Sequence, residues 1–481
     1  MQYLRSCLSV FITLLSVTTT FSQTNFTWPE TPSSKVFQDF IRAYNTGLQI
    51  EIKTFAKTHY ANTDSAYLDE KTEYWMDIYH RFGPVKLHSL SINKPNDLEV
   101  WLQGTMSKAW FAPEFILNSD NQKIKAVGML LGMQPPNTST PAPSNEEFLD
   151  RLTNYLTLNE QHNLFQGSVL LAQHGKIIHS KAYGFKNIEE NELNTLSTRF
   201  DIVSITKPIT AIAILQLVQN GKLDLFAPIE KYLPELPKNI SEKITIYQLL
   251  THTSDYKLKN IDGFREQIEK TNSLKEVYDI HLEQLPKWDS FGDFNPSGKW
   301  NYSNQGYDLL GVIIEKVTGL NLEQYFKINV FETVGMSDTS FSKAGTANPY
   351  RYDLKHGGLK DYSEYPSFFG RVSAAAQLNS TVDDLYKLFE TIKNTDDLLD
   401  EAHKGLLYAP LVKRGGDDFQ GLGLEVNYES ILNIGHSGVN VGNTSELIYF
   451  PESDLVLVVL CNNRSGAPNL YNFLKNNIPK K

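Results

Sequence analysis

Ser204 and Lys207 stand three residues apart in the stretch Asp201-Ile202-Val203-Ser204-Ile205-Thr206-Lys207-Pro208, which runs into the apolar pattern Ile209–Val218. Residues three apart on a helix share a face, so the lysine ammonium can reach the hydroxyl. A serine hydroxyl is a weak nucleophile until a neighbouring base takes its proton. A desolvated lysine, its pKa lowered, can be that base. A helix N-terminus adds free N–H groups and partial positive charge where an oxyanion would form. Proline is tolerated only near a first turn, so Pro208 predicts an exposed helix start at Ser204. The chemistry such a pair could do is nucleophilic attack by an activated serine hydroxyl. Ser-x-x-Lys also occurs at Ser91/Lys94, Ser254/Lys257 and Ser340/Lys343, and none of these opens a long apolar helix. Context singles out Ser204, not the spacing alone.

Two further triplets could serve the same chemistry. Tyr302-Ser303-Asn304 sits in a predicted loop before the helical pattern Tyr307, Leu310, Ile313, Ile314, Val317, which stops at Gly319. A phenolate whose pKa is lowered by nearby cations is a general base, and an amide can orient the lysine or a substrate carbonyl. Taken alone, the triplet reads more simply as a turn residue beside a partly buried aromatic. His436-Ser437-Gly438 follows a predicted strand, Ile431–Gly435. Glycine there lets substrate backbone approach the strand edge, with His436 facing the cleft. The N–H of Val439 could be a second oxyanion donor beside that of Ser204. His-x-Gly recurs at His356 and His403, neither after a strand.

The elements that must position these residues are readable in outline. The chain has 481 residues, 41% hydrophobic and 21% charged, an ordinary globular composition with length for two to three domains of roughly 150 residues. The net charge of −10 leaves no basic footprint for nucleic acid. Arg5, the apolar run Leu8–Val17 and the small residues up to Ser22 read as a secretory signal peptide over residues 1–22; the run is shorter than the ~18 residues a membrane span needs. The mature chain then has no predicted transmembrane segment and is expected to be exported, periplasmic or secreted. Cleavage leaves Cys461 as the one cysteine, so no internal disulfide is expected. Residues 31–134 read as helices followed by the strands Val85–Ile92, Leu98–Gln103, Trp110–Leu117 and Ile124–Leu131, a small α+β domain whose element order resembles nuclear-transport-factor-2-like folds. The Pro/Ser/Thr-rich stretch 135–144 is a linker. In residues 145–481, a helix near Glu146–Gln161 and a hairpin at Ser168–Tyr183 precede the Ser204 helix. Residues 222–400 are mostly helix and loop. Strands return at Leu422–Tyr428, Ile431–Gly435, Ser445–Phe450 and Leu455–Cys461, before a last helix at Ala467–Asn476. Strands from both ends of this region must meet in one antiparallel sheet beside a helical lobe, with a cleft between them.

Ser204-x-x-Lys207, Tyr302-x-Asn304 and His436-x-Gly438 occur in this order, with flanking text such as Leu223-Asp224-Leu225, Lys231-Tyr232-Leu233-Pro234, Thr245–Ser254 and Gly435–Gly442. Over roughly residues 145–475 the chain resembles the class C β-lactamase and penicillin-recognising serine hydrolase family. The resemblance implies an α/β (α+β) fold, Ser204 as the acylated nucleophile, and Lys207 as its deprotonating partner. It implies Tyr302 as the base that later activates water, Asn304 as a substrate-positioning amide, and the N–H groups of Ser204 and Val439 as the oxyanion hole. One departure stands out. True class C β-lactamases usually carry Lys-Thr-Gly where this chain has His436-Ser437-Gly438, and histidine is mostly neutral at pH 7. His-x-Gly is more typical of family esterases and D-amino-acid peptidases.

The reading is therefore an esterase or a D-amino-acid peptidase on small-molecule or peptide substrates, including cell-wall peptide, with weak β-lactamase activity at most. The alternative is a penicillin-binding or sensor-like protein that acylates but turns over poorly. His252 reads as part of a packed loop and Cys461 as core. No metal-ligand spacing, phosphate-cradling glycine loop or Gly-x-Ser-x-Gly elbow is present, so no metal or cofactor is expected.

Overall fold

The computed structural model describes residues 27–105, 110–120, 122–131, 135, 143–161, 163–257, 264–287, 294–353, 358–364, 371–428 and 431–479. The expected signal peptide lies outside these residues, as do positions 136–142 of the expected linker and His356.

The first unit is α1 (Pro32–Asn45), α2 (Gln49–His59) and α3 (Ser65–Phe82), then strands β1 (Val85–Lys94), β2 (Asp97–Gly104), β3 (Trp110–Leu117) and β4 (Ile124–Leu131). Thr31 caps α1 by accepting from the Ser34 N–H, and Asp64 caps α3 by accepting from the Tyr67 N–H. The strands form one antiparallel sheet in sequence order. Helices and sheet close a core of their own around Phe37, Phe40, Tyr44, Phe55, Trp75, Phe111 and Phe115. Trp75 is fully buried, and its indole N–H donates to the Tyr60 hydroxyl at 2.9 Å. Ser91 and Lys94, one of the competing Ser-x-x-Lys pairs, lie on β1.

The second unit opens with α4 (Asn145–Gln161) and the hairpin β5 (Gly167–Gln173) and β6 (Lys176–Tyr183). Its central helix is α5 (Thr206–Gln219), followed by α6 (Asn304–Thr318) and α7 (Val382–Asn394). Then come β7 (Val412–Gly415), β8 (Asp418–Gln420), β9 (Glu425–Asn427), β10 (Asn433–Val439), β11 (Thr444–Phe450) and β12 (Leu455–Cys461), and α8 (Gly466–Asn477) ends the described elements. Strands from both ends of the unit share one antiparallel sheet in the order β7-β8-β9-β10-β11-β12-β5-β6.

Alternation on β12 explains the layers. Leu455, Leu457, Val459 and Cys461 pack with α4 and α8. Val456, Val458 and Leu460 point the other way, into the large core around α5 and α6. Cys461 is fully buried, within the first of these layers.

Two expectations need correction. The strand expected over Leu422–Tyr428 is only Glu425–Asn427, because residues 421–424 form the turn between β8 and β9, closed by the Gly421 N–H on the Leu424 carbonyl at 2.7 Å with Gly423 at φ +93°. His436, Ser437 and Gly438 lie inside β10 and do not follow it. The strand is glycine-interrupted, so its apolar alternation fades halfway along.

Where the two units meet, a cavity of about 290 Å³ is lined by Glu70, Glu73 and Asp77 of α3 on one side and Arg351 and Arg464 on the other. No helix among the described residues is long and apolar enough to cross a membrane.

Truncating a fully buried aromatic removes both transfer free energy and packing. Trp75→Ala is expected to destabilise the first unit by roughly 3–5 kcal/mol, read by urea unfolding followed by far-UV circular dichroism. A shift within ±0.5 kcal/mol, the range of ordinary surface substitutions, would show that Trp75 does not anchor this core.

Candidate active site

Ser204 is the middle residue of a 3-10 turn, Val203–Ile205, that leads directly into α5. The helix start is enclosed, not exposed as expected. The helix is apolar on every side and buried along most of its length, as befits a central helix. Lys207 is 0% exposed, while Ser204 remains partly exposed. Just before Ser204, Val203 adopts φ +49°. For a β-branched residue this costs on the order of 1–3 kcal/mol and persists only where the surroundings over-determine it.

The Lys207 amine donates to Ser204 Oγ at 3.1 Å and to the Ala375 carbonyl at 2.8 Å. It also lies 4.8 Å from the ring centre of Tyr302 and 5.6 Å from that of Tyr307. Burial lowers its pKa to about 7, against the opposing pull of Asp308 and Glu425. A large fraction of the amine is therefore neutral near pH 7, and its lone pair can then accept the Ser204 proton across the same short contact.

The Tyr302 hydroxyl donates to Ser204 Oγ at 3.0 Å. The condition set for a phenolate base is not met. Burial pushes Tyr302 well above its ordinary range, with Glu425 adding to the rise and the Ser204 bond and Arg414 only partly offsetting it. In this structure Tyr302 is a neutral phenol.

Its position is fixed by His252, which the sequence placed in a packed loop. The ring of His252 lies 4.4 Å from that of Tyr302, and its Nδ1 accepts from the Ser303 N–H at 3.1 Å. Burial, reinforced by Lys207, His436 and Arg414, holds His252 far below the usual histidine range, so the ring is neutral.

Asn304 is the first residue of α6, beside the N-cap Ser303, whose hydroxyl accepts from the Gly306 N–H. The Asn304 Oδ1 is buried and without a hydrogen-bond partner, and Lys207 is oriented instead by the Ala375 carbonyl.

Sequence reasoning missed Asp308. On α6 its carboxylate accepts from the Ser373 hydroxyl at 2.7 Å and the Ala374 N–H at 3.1 Å. This fixes the segment whose next carbonyl, that of Ala375, receives Lys207. Burial pushes Asp308 up to about 6, while Ser373, Lys207 and the backbone N–H groups pull it back.

His436 is 2% exposed and forms part of the buried wall, not the open cleft. Its Nδ1–H donates to the Ser437 carbonyl at 2.6 Å. Burial lowers it to about 4 against the pull of Glu425, so it is a neutral ring at pH 7. The nearby cation is Arg414, which pairs with Glu425 at 2.6 Å and lies 5.0 Å over the Trp300 ring. Glu425 Oε1 is 3.9 Å from His436 Nε2. Neither Arg414 nor Glu425 belongs to a readable motif.

Gly438 has a different reason from the one expected. A Cβ there would sit 2.4 Å from Ser445 Oγ, 2.6 Å from the Ile202 carbonyl oxygen and 2.9 Å from Val203 Cβ. The glycine lets β10 press against the turn carrying Ser204, and Val439, half exposed, ends the strand beside it. Among the described residues no group of three or more His, Cys, Asp or Glu side chains could hold a metal ion.

The sequence matches the Beta-lactamase family over residues 153–473. It is 28% identical over 327 residues to "Penicillin-binding protein 4*" of Bacillus subtilis (strain 168), covering 64% of this chain and 70% of that protein. The fold superposes on a penicillin binding protein from Bacillus halodurans with TM-score 0.58 and 28% identity, over 66% of this chain and 98% of that one. It also superposes on the D-amino acid amidase from Ochrobactrum anthropi SV3 with TM-score 0.56, over 66% of this chain and 94% of that one; at 23% identity this likeness is one of fold.

The ascending limb of the acylation rate is expected near pH 7, as Lys207 loses its proton. Asp308→Asn keeps an oxygen for Ser373 and Ala374 but removes a charge that favours the ammonium, so the limb should move to lower pH. Pre-steady-state acylation across the neutral range checks this. A limb that stays in place would mean that Asp308 does not tune the lysine.

Proposed function

This chain belongs to the Beta-lactamase family, and we propose that it is an exported serine hydrolase that forms an acyl-Ser204 intermediate with ester or amide substrates. The observation that carries the reading is the convergence of a buried Lys207 amine and the Tyr302 phenol on one hydroxyl, Ser204 Oγ, at 3.1 and 3.0 Å.

Neutral Lys207 accepts the Ser204 proton as Oγ attacks the substrate carbonyl carbon. The N–H groups of Ser204 and Val439 hold the resulting oxyanion. Collapse breaks the bond to the leaving alkoxide or amine, which takes the proton back through Lys207 and the Tyr302 hydroxyl. Water then enters, gives a proton to the Tyr302–Lys207 pair, and attacks the acyl carbon. Ser204 is released with its proton restored, and the acid product leaves. Asn304, whose buried Oδ1 has no hydrogen-bond partner, is the proposed acceptor for a substrate N–H.

The neutral His436 favours an esterase or a D-amino-acid amidase or peptidase over a β-lactamase. No protonated side chain at this position answers a β-lactam carboxylate, and Arg414 is already paired with Glu425. The fold shared with a D-amino acid amidase supports the same choice. Export rests on the apolar run Leu8–Val17 and is checked by N-terminal sequencing of the protein recovered from its host.

Residues 23–481 should be assayed with a short-chain aryl ester, a D-alanine amide and a chromogenic cephalosporin. Ester or D-amide turnover that disappears in Ser204→Ala is the expected result. Tyr302→Phe should cost on the order of 10²–10⁴-fold in rate. Stoichiometric acylation by the cephalosporin without turnover of any substrate would replace this reading with that of a penicillin-binding sensor.

A further inference from the structure

Asp201, three residues before the nucleophile, is absent from the chemistry described so far. One carboxylate oxygen accepts from the Val203 N–H at 2.8 Å, within the turn that carries Ser204. The other accepts from the Asn440 side-chain amide at 3.0 Å. Asn440 directly follows Val439 at the end of β10. Its own side-chain oxygen accepts from the N–H groups of Gly442 and Asn443, at 3.0 and 2.7 Å, and its carbonyl accepts from Arg464 at 3.1 Å. The Asn440 side chain is thus held rigid by its own turn and offers its amide hydrogens to Asp201. A single carboxylate bridges the two backbone segments that carry the expected oxyanion donors, although they are more than two hundred residues apart in sequence.

The contact lies where over-determination is needed. Val203 is held at φ +49°. Around it the Ile202 N–H donates to the Leu378 carbonyl, the Ser445 hydroxyl donates to the Ile202 carbonyl and the Thr206 hydroxyl donates to the Val203 carbonyl. Of these, only the Ser445 bond also reaches from the β10–β11 hairpin to the turn, and it engages residue 202. The Asp201 bridge is the one that grips both the strained residue and the end of β10. Burial pushes the Asp201 carboxyl up, and the Val203 N–H, Lys343 and Asn440 pull it back toward ionisation.

We propose that Asp201 is a positioning residue that ties the Ser204 turn to the end of β10 and so sets the gap between the Ser204 and Val439 N–H groups. The inference rests on Ser204 being the acylated nucleophile. A displacement of about 1 Å in a reacting geometry can cost ~10²-fold in rate, and loss of one oxyanion donor costs roughly 10²–10³-fold in kcat.

The test is a reciprocal exchange, read with a short-chain aryl ester on the full mature chain. Asp201→Asn turns an amide NH2 toward the Asn440 NH2. Asn440→Asp sets two carboxylates against each other. Each alone is expected to lower kcat by roughly 10–100-fold with KM little changed. The double variant Asp201→Asn/Asn440→Asp restores a donor–acceptor pair with its polarity reversed and should recover most of the loss. A thionoester analogue, whose sulfur is a poorer acceptor for the oxyanion donors, should show a smaller drop. Melting temperatures separate lost geometry from lost fold, and Asn440→Asp supplies the reading if Asp201→Asn does not fold.

Wild-type kcat in both single variants would overturn the proposal. So would a double variant no better than the worse single, or equal losses on ester and thionoester. If instead Ser204→Ala retains turnover, it is the nucleophile assignment that fails, and that outcome is separate from the clamp.

Discussion

A lysine amine kept dry is the constraint on which the rest of the site depends. Holding Lys207 at about 7 instead of the ordinary 10.5 disfavours its charged form by on the order of 5 kcal/mol. The sign follows from the direction of the shift. The folded-state value lies below the unfolded one, so the penalty on folding is fully present below about pH 7. It fades as the pH rises toward the lysine's ordinary range. The apolar wrapping of α5 imposes it, and the rings of Tyr302 and Tyr307, the Ala375 carbonyl and the Asp308 carboxylate that fixes the 373–375 segment lessen it. Remove the wrapping and the lysine becomes an ordinary ammonium, unable to accept a proton near neutrality.

The same dryness decides the other protonation states. It raises Tyr302 and lowers His252 and His436, so the groups around Ser204 are a phenol and two neutral imidazoles. The paired charges, Arg414 and Glu425, neutralise each other at the edge of this set. A site arranged in this way does not work through a fixed net charge. On the proposed mechanism, proton transfer falls to the one group poised near pH 7, and stabilisation of developing negative charge to backbone N–H dipoles, whose placement is set by strand and turn geometry.

That division explains what could be read from sequence. The Ser204–Lys207 relation is local, fixed by helical spacing, and so is the Tyr302–Ser303–Asn304 cap of α6. The hairpin β5–β6 and the strand Leu455–Cys461 were legible because their side chains alternate or run unbroken. Asp308 was not, because its partners Ser373 and Ala374 are brought to it only by tertiary packing. His252 is in a packed loop as its sequence context suggests, but only the fold sets its ring against Tyr302. The enclosure that raises Tyr302 is equally a property of the whole lobe, and no residue near position 302 encodes it. The sequence marks Gly438 as a place of close approach, and the structure puts the Ile202 carbonyl, Val203 and Ser445 against it.

The strain at Val203 connects these levels. A β-branched residue at positive φ is a poor local choice, and sequence propensity would place a glycine there. The chain tolerates it because local hydrogen bonds within residues 201–206 are joined by bonds from the distant residues Leu378, Asn440 and Ser445. One of them, Ser445 on β11, is paired in register with Gly438 of β10. With glycine at position 438, the strand backbone approaches closely enough to share the load, and the Ser445 hydroxyl fills the space where a Cβ would have been. The Ser204 turn and the end of β10 therefore form one over-determined unit. On the clamp proposed above, a substitution far from Ser204 in sequence, at Asn440 or Ser445, bears on the geometry of the Ser204 turn.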